Sequence, residues 1–492
     1  MEGNNTVMES VHSTPVNTLG QHQQRQHQGL RSASLLVAMT ASLLLAGCAG
    51  PSALDAAATD IDVPQLTAAQ QARLQNAGDL DPQWWAQLGS PGLNRIMQDA
   101  EIDNLTLQQA LLRLQQAQIA LESEQSGSWP SVSAKASTSQ RTSLDGDNSG
   151  VWNSGSSLSL SASYSVDLWG RRATQIDQAE LDVVAAQLDL ASARITLQTG
   201  LVKQYLQWLS SRQRLDLARQ NLKASRELED LVQIRYEAGS ESGVAVASQR
   251  NTTLSLERSI MSLEQTVVTN ERALAVLLGR ADLSVPAELY TERFEDIQIP
   301  AIARVQPAQL LKQRPDILAA EVTLQQRHQS VYLAEADRWP SLSLSASLSP
   351  QDLLNLVDWS FSLGQSLSMT LFDGGATSAA IESAEVNKEL ARVQYRETVI
   401  SAMQEVLEAL DGVDVEHRRT ELAEETLSNN DHLLDVARLL WETGESDFDD
   451  LLSSQRSYIS AVDSLASQRL TNLQALIELY GALGMAPQST AR

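Results

Sequence analysis

The 492-residue chain holds 36 Lys and Arg against 61 Asp and Glu, a formal net charge of −25. That balance excludes the basic stripes on which nucleic-acid binding depends, and it fits a soluble surface or a conduit that disfavours anions. A single cysteine, Cys48, rules out an intrachain disulfide and a thiolate metal cluster, and the six histidines show no ligand spacing. Aromatic residues make up 4% of the chain against 42% hydrophobic residues in all, which suits long packed helices better than a thick globular core.

Residues 1–33 are polar and end in basic Arg31, and an apolar run follows from Leu35 to Gly47. The run is too short for a spanning helix, which needs about 20 residues, and right for the centre of a signal peptide. It closes in Leu45-Ala46-Gly47-Cys48. Small residues before a cysteine resemble a bacterial lipobox, which implies cleavage after residue 47 and a lipid anchor on Cys48. Ala49 in the next position, in place of Asp, resembles an outer-membrane address. The polar leader is long, so translation starting at Met8 is an alternative. Residues 48–90 read as an anchored tether and collar, in which Trp84-Trp85 is expected to pack against a neighbouring element and carry no chemistry.

A helical run is expected from about Leu93 to Glu124. Trp129-Pro130-Ser131 then opens a stretch with period two: Leu158, Leu160, Ala162, Tyr164, Val166 and Leu168 alternate with serines 157 to 165. Strict alternation marks a strand with one apolar and one polar face. Thr142 to Gly155 reads as the exposed loop between two strands. After Asp167-Leu168-Trp169-Gly170-Arg171, a helix begins near Ala173. Leu181, Val184, Leu188, Ala191, Ile195, Val202, Tyr205 and Leu209 keep a seven-residue repeat, interrupted at Gln198, which is the seam of packed long helices. Arg235-Tyr236-Glu237-Ala238-Gly239 makes a tip, and a return helix runs to Leu278-Gly279.

After a proline-containing linker, 286–305, the pattern recurs about 200–210 residues on. A helix from Leu310 to Asp337 contains Gln313-Arg314-Pro315-Asp316. Trp339-Pro340-Ser341 opens a second pair of alternating strands, and Leu371-Phe372-Asp373-Gly374-Gly375 ends it. A proline-free helical run then extends from Ala376 to Glu442, about 100 Å at 1.5 Å per residue. Its acidic turn, Glu442 to Asp450, has Gly444 where a helix stops and Ser446 or Asp447 where another starts. Residues 91–285 and 306–484 are therefore expected to be two copies of one unit, followed by a short tail, 485–492. Each copy supplies two strands. Four strands cannot close a barrel and open edges cannot face lipid, so several chains must pool them. Two chains would give a lumen filled by side chains, and three would give twelve strands.

The ordered set of motifs resembles TolC-type outer-membrane efflux proteins, closest to the lipid-anchored, NodT-like branch that serves RND multidrug pumps. The set comprises the lipobox, Trp84-Trp85, both Trp-Pro-Ser openings, Asp167–Arg171, Gln313–Asp316, Leu371–Gly375 and the Gly444 tip with Leu451-Leu452-Ser453-Ser454-Gln455. The resemblance implies a mainly α-helical chain with a membrane β-barrel portion: long antiparallel coiled-coil helices, four strands per chain, and a homotrimer forming a twelve-stranded barrel on a helical tunnel. It also implies a periplasmic adaptor and an inner-membrane RND-type pump as partners, outer-membrane lipid around the barrel, no nucleic acid, no cofactor and no enzymatic activity. In such proteins the tunnel closes at its periplasmic tip through acidic residues after the second-repeat glycine. By position Asp450 matches one such acid, with Asp447 and Asp449 nearby and Arg456 as a counter-charge, while Gly239 and Gly444 mark the two hairpin tips. Ser453 departs from the pattern, since relatives often have a second acid there. These acids would serve equally as solvated favourites of a helix N-terminus. Protein export by an ABC-type system and a coiled-coil envelope protein or adhesin are the competing readings. No Ser-His-Asp order, Walker loop or dinucleotide glycine motif supports an enzyme.

Overall fold

The computed structural model describes residues 83–142, 152–299, 313–352 and 357–484. The signal peptide, Cys48, most of the tether, part of the linker and the tail at 485–492 lie outside the described residues. In chain order the elements are helices α1 (Pro91–Asp103) and α2 (Leu105–Ser126), strands β1 (Ser131–Thr142) and β2 (Trp152–Val166), and helices α3 (Arg171–Glu237) and α4 (Gly243–Leu277). They continue with α5 (Pro315–Ala336), β3 (Ser341–Asp352), β4 (Val357–Ser368), α6 (Ala376–Thr443) and α7 (Phe448–Ala482). The succession of helix, two strands, a very long helix and a 35-residue return helix occurs twice, with long helices of 67 and 68 residues. Short 3-10 turns at Trp84–Leu88, Ala287–Thr291 and Phe294–Asp296 complete the described structure.

The chain divides into two compact units. The first, from Gly127 to Gln175 and from Tyr332 to Thr377, contains one antiparallel sheet in the order β1-β2-β3-β4. Its register sorts the faces cleanly. Ser131, Ser133 and Ser137 stand opposite Ser163, Ser161 and Ser157, and their hydroxyls are 2.7–2.9 Å apart. The hydroxyls of Ser341, Ser343, Ser347 and Ser349 likewise meet those of Ser368, Ser366, Ser362 and Ser360 at 2.7–3.0 Å. On the other face Val132, Leu160, Leu344, Phe361, Leu363 and Leu367 are exposed. The loop expected from Thr142 to Gly155 is shorter than that, because β2 already pairs from Trp152.

The ends of the strands are tied by the motifs that flank them. Trp169 stacks on Trp339 at 5.1 Å and donates its indole N–H to the Pro340 carbonyl at 2.8 Å. Tyr332 donates to the Trp169 carbonyl, and Arg171 pairs with Asp337. Asp167 and Asp373 play equivalent parts. The first accepts from the Ala173 amide at 3.0 Å, the second from the Gly375 and Thr377 amides at 2.9 and 2.7 Å, so each carboxylate satisfies orphan donors at the start of a long helix. Hydrogen bonds from the Thr377 hydroxyl and these amides hold the Asp373 carboxyl below the usual range.

The second unit comprises the remaining helices. Its main core joins Trp84, Trp85, Leu93, Ile96, Tyr205, Trp208, Leu274, Leu289, Phe294, Met403, Leu476 and Tyr480. Trp84 lies flat on Tyr480 at 4.8 Å, the packing role expected of the tandem tryptophans. Ser90 caps α1 by accepting from the Leu93 amide at 3.0 Å, and its hydroxyl meets that of Tyr205 at 2.9 Å. Gln198, the break in the heptads, is buried and donates to Glu101 at 3.2 Å.

The single helix expected from Leu93 to Glu124 is two helices. Asn104 leaves the helical conformation (ψ 123°), accepts from the Leu107 amide at 3.0 Å and donates to the Leu277 carbonyl at 2.8 Å. Its side chain thus starts α2 while closing the end of α4, a choice between local and helical bonding typical of Asn. Gly279 permits the adjacent chain crossing. It has φ +69°, and a Cβ there would lie 2.3 Å from the Asp103 carbonyl oxygen.

Among the described residues of the second unit, Arg314 is the most heavily bonded side chain. It forks onto Asp316 at 3.0 and 2.7 Å, reaches Glu405 at 2.7 Å and donates to the Ala482 carbonyl at 2.6 Å, fastening α5, α6 and the end of α7. Burial would raise the Asp316 carboxyl, but the Arg314 hydrogen bonds and charge outweigh it and hold the group below its ordinary value. Arg314→Ala should cost about 3 kcal/mol, the low end for a broken buried pair because both carboxylates are about half exposed, and should lower the thermal midpoint measured by circular dichroism. Because the folded Asp316 pKa is depressed, its contribution is present above the unfolded value of about 3.9 and is lost as pH falls through the folded one. Asp316→Asn should therefore destabilise at pH 7, and the difference from wild type should shrink as the pH falls below the ordinary carboxylate range in the same melts.

Candidate functional site

The two hairpins end in turns built alike. At the first, the Gly239 amide bonds the Tyr236 carbonyl at 3.0 Å and the Ser240 amide bonds that of Arg235 at 2.9 Å. At the second, the Gly444 amide bonds the Trp441 carbonyl at 3.2 Å and the Glu445 amide bonds that of Leu440 at 2.8 Å. Each is a Schellman ending, and the glycines take φ +76° and +79°, where a side chain would be strained. Ser242 caps the return helix α4 through the Ala245 amide at 3.0 Å. Asp447 stands at the start of α7 without bonding its own turn, so its carboxylate is left to solvent.

The hairpins meet at their tips. Val232, Ala245, Ala437, Trp441, Phe448, Leu451 and Leu452 form a separate small core. The Arg235 guanidinium lies 3.9 Å above the Trp441 ring and donates to the carbonyls of Trp441 and Glu442 at 3.0 and 3.2 Å. In return the Trp441 indole donates to Glu241 at 3.1 Å. A cation in the last turn of α3 thus satisfies the last carbonyls of α6 and faces the negative end of that helix. Sequence reasoning placed Arg235 in the tip motif but gave it no role. The only signal was a basic residue in a last turn, ordinarily read as serving its own helix.

Of the candidate gate residues, Asp447, Asp449 and Asp450 are all exposed, and among the described residues none of them is in an ion pair. Arg456 sits on α7, exposed, and donates to the Thr252 hydroxyl of α4 at 3.1 and 3.3 Å. Within one chain its partner is therefore a hydroxyl, and it is not brought to the three acids. Farther along, Arg214 of α3 grips Asp463 of α7 in a two-pronged pair at 2.7 and 2.9 Å, and Lys203 meets Glu478 at 2.8 Å. The arrangement offers three exposed carboxylates at the tip of the second hairpin. No group of three or more His, Cys, Asp or Glu able to hold a metal occurs among the described residues.

Comparison with known proteins identifies the scaffold. The description "Outer membrane efflux protein" matches residues 96–280 and again 307–485. The chain belongs to the outer membrane efflux protein family. The pyoverdine export outer membrane protein OpmQ of Pseudomonas aeruginosa is 30% identical over 470 residues, covering 92% of this chain and 96% of that protein. Nodulation protein T of Rhizobium leguminosarum bv. viciae is 29% identical over 442 residues, covering 88% and 89%. In fold the chain is similar to the outer-membrane channel OprN, with a TM-score of 0.80 at 23% identity, over 89% of this chain and 98% of that one. The outer membrane efflux protein works in the outer membrane as the exit duct of an efflux pump, and members of the family are channel components and not enzymes.

The clasp between the tips has a measurable consequence. Arg235→Ala removes the donor from two α6 carbonyls and the cation from the Trp441 ring, so amide hydrogen exchange at residues 440–446 should accelerate about tenfold or more, as expected for losing 1.5–3 kcal/mol of charged hydrogen bonding. Exchange in the α3–α4 segment around Ser225 should stay unchanged.

Proposed function

We propose that three copies of this chain form the outer-membrane exit duct of a tripartite efflux system, passing small molecules from an inner-membrane RND-type pump and a periplasmic adaptor to the outside. The observation that carries this reading is the two-faced sheet: serine on one side, exposed apolar side chains on the other. A strand lining a wet lumen and facing lipid outside has this pattern. Tryptophans bound the apolar face, with Trp152 and Trp359 at one end and Trp339 near the other. From Trp359 to Met369 is ten residue steps, about 34 Å of extended chain, or about 26 Å of depth at a tilt near 40°, close to the roughly 25 Å apolar band of such barrels. Strands β1 and β4 are the open edges. They run antiparallel to each other, so β1 of one copy can continue β4 of the next, and three copies close twelve strands.

The helices support the same assembly. Leu254, Met261 and Val268 repeat every seven residues on α4, and Val386, Val393 and Ile400 do so on α6, all exposed in the single chain. Two different uncovered seams fit a head-to-tail contact that closes a ring. Each matched segment then stands as one copy of an internal repeat. Residues 1–47 serve as the signal peptide and Cys48 carries the lipid anchor. The relatives' names mention pyoverdine, antibiotics and toluene, which supports small molecules as the cargo class.

Asp447, Asp449 and Asp450 of three copies would form the acidic aperture, with Arg456 as the counter-charge holding the second hairpin inward until an adaptor docks at the tips near Gly239 and Gly444. Like charges converging on a narrow opening repel and attract cations. Replacing the three aspartates by asparagine should raise the leak conductance of the purified protein in planar bilayers and change its block by divalent cations. Equal conductance and block in the two proteins would end the gate assignment. Deleting the gene should sensitise the host to small toxic compounds, and a monomer mass in detergent would contradict the trimer.

A further inference from the structure

Between Ser131 and Ser139 the polar face of the sheet carries one charged residue, and the next charged positions of that face lie toward the hairpin ends, at Arg141 on β1 and Asp358 on β4. At its positions 131–139 on β1, 155–165 on β2, 341–349 on β3 and 360–368 on β4, every residue is serine except Gly155, Gly364 and Lys135. Lys135 is exposed, stands opposite Ser159 and has Ser133 and Ser137 two residues away on its own strand. It forms no ion pair among the described residues, and no carboxylate occupies any of these positions. A lysine in a wall of hydroxyls gains nothing in packing or pairing, and serine there would extend the hydroxyl ladder of Ser133–Ser161 and Ser137–Ser157 across the gap. Its ammonium is a fixed charge without an ion-pair partner among the described residues, on the face that the serines line.

We infer that Lys135 sets the ion preference of the strand-level passage: three copies place three ammonium groups at one height, a basic ring that draws chloride and the anionic groups of cargo through a duct otherwise acidic. This rests on the exit-duct reading above. Rings of lysine or arginine favour anions in pores, and the effect is strongest where no opposite charge lies within a Debye length, about 10 Å at 0.1 M salt. The serines, neutral and uniform, neither oppose the ring nor select among cargoes. Such a ring would attract carboxylates and phosphates while leaving neutral compounds untouched.

The test is the reversal potential of the full-length, lipid-modified protein in planar bilayers under a tenfold KCl gradient. Lys135→Ser should shift it toward the potassium equilibrium potential, Lys135→Glu should shift it further, and Lys135→Arg should leave it at the wild-type value. All shifts should shrink when both solutions are raised above 1 M. Conducting channels with one reversal potential across all four proteins would overturn the inference and leave the duct reading intact. Wild-type protein that passes no current would overturn the duct reading itself, and this inference with it. A Lys135→Ser chain that no longer assembles would make the lysine structural and also overturn it.

Discussion

Backbone hydrogen bonding at the two open edges of the sheet is the constraint on which the rest depends. In hydrocarbon an unpaired N–H or C=O costs several kcal/mol, and β1 and β4 each present a row of them. The face between those edges is apolar and uncovered, with Leu363 77% exposed in the single chain. Open edges are costly in lipid and an uncovered apolar face is costly in water; in the proposed assembly strands of further copies would pair the edges while lipid covers the face. The serine face needs no such covering, because its hydroxyls already pair across strands and remain at home beside water.

The helical unit answers a related problem differently. Helices of 67 and 68 residues cannot bury themselves on one globular core, so their stability comes from seams along their length. Where the seams face elements of the same chain they are closed by Tyr205, Trp208, Val406 and Leu476. Where they carry Met261 or Val393 they stay open. Charge pairs such as Arg214–Asp463 fix the register of α3 against α7 at little net gain, since such pairs are half exposed. The tips need more than seams. There the glycine turns stop the helices, and Arg235 and Trp441 lock one ending against the other.

Much of this was legible in the residues. Alternating serines announced the strands and their two faces, because the period of a strand is two. The proline-free runs ending at Gly239 and Gly444 announced the hairpins, because only glycine takes the closing conformation cheaply. The break at Asn104 was not legible. Its neighbours Ile102 and Leu105 continue an apolar pattern, and the bond that ends the helix goes to the distant Leu277 carbonyl. The role of Arg314 was hidden for the same reason: its motif gives Asp316, but Glu405 and Ala482 lie about 90 and 170 residues away.

Strand and helix assignments, turn positions and apolar faces followed from the residues alone, because periodicity and backbone preference are local properties written in neighbouring residues. The fold was needed to show that Arg235 caps another helix, that Arg456 meets Thr252 and that Lys135 stands between Ser133 and Ser137 opposite Ser159. Those outcomes depend on which elements lie side by side, and adjacency comes from long-range packing that no local pattern encodes.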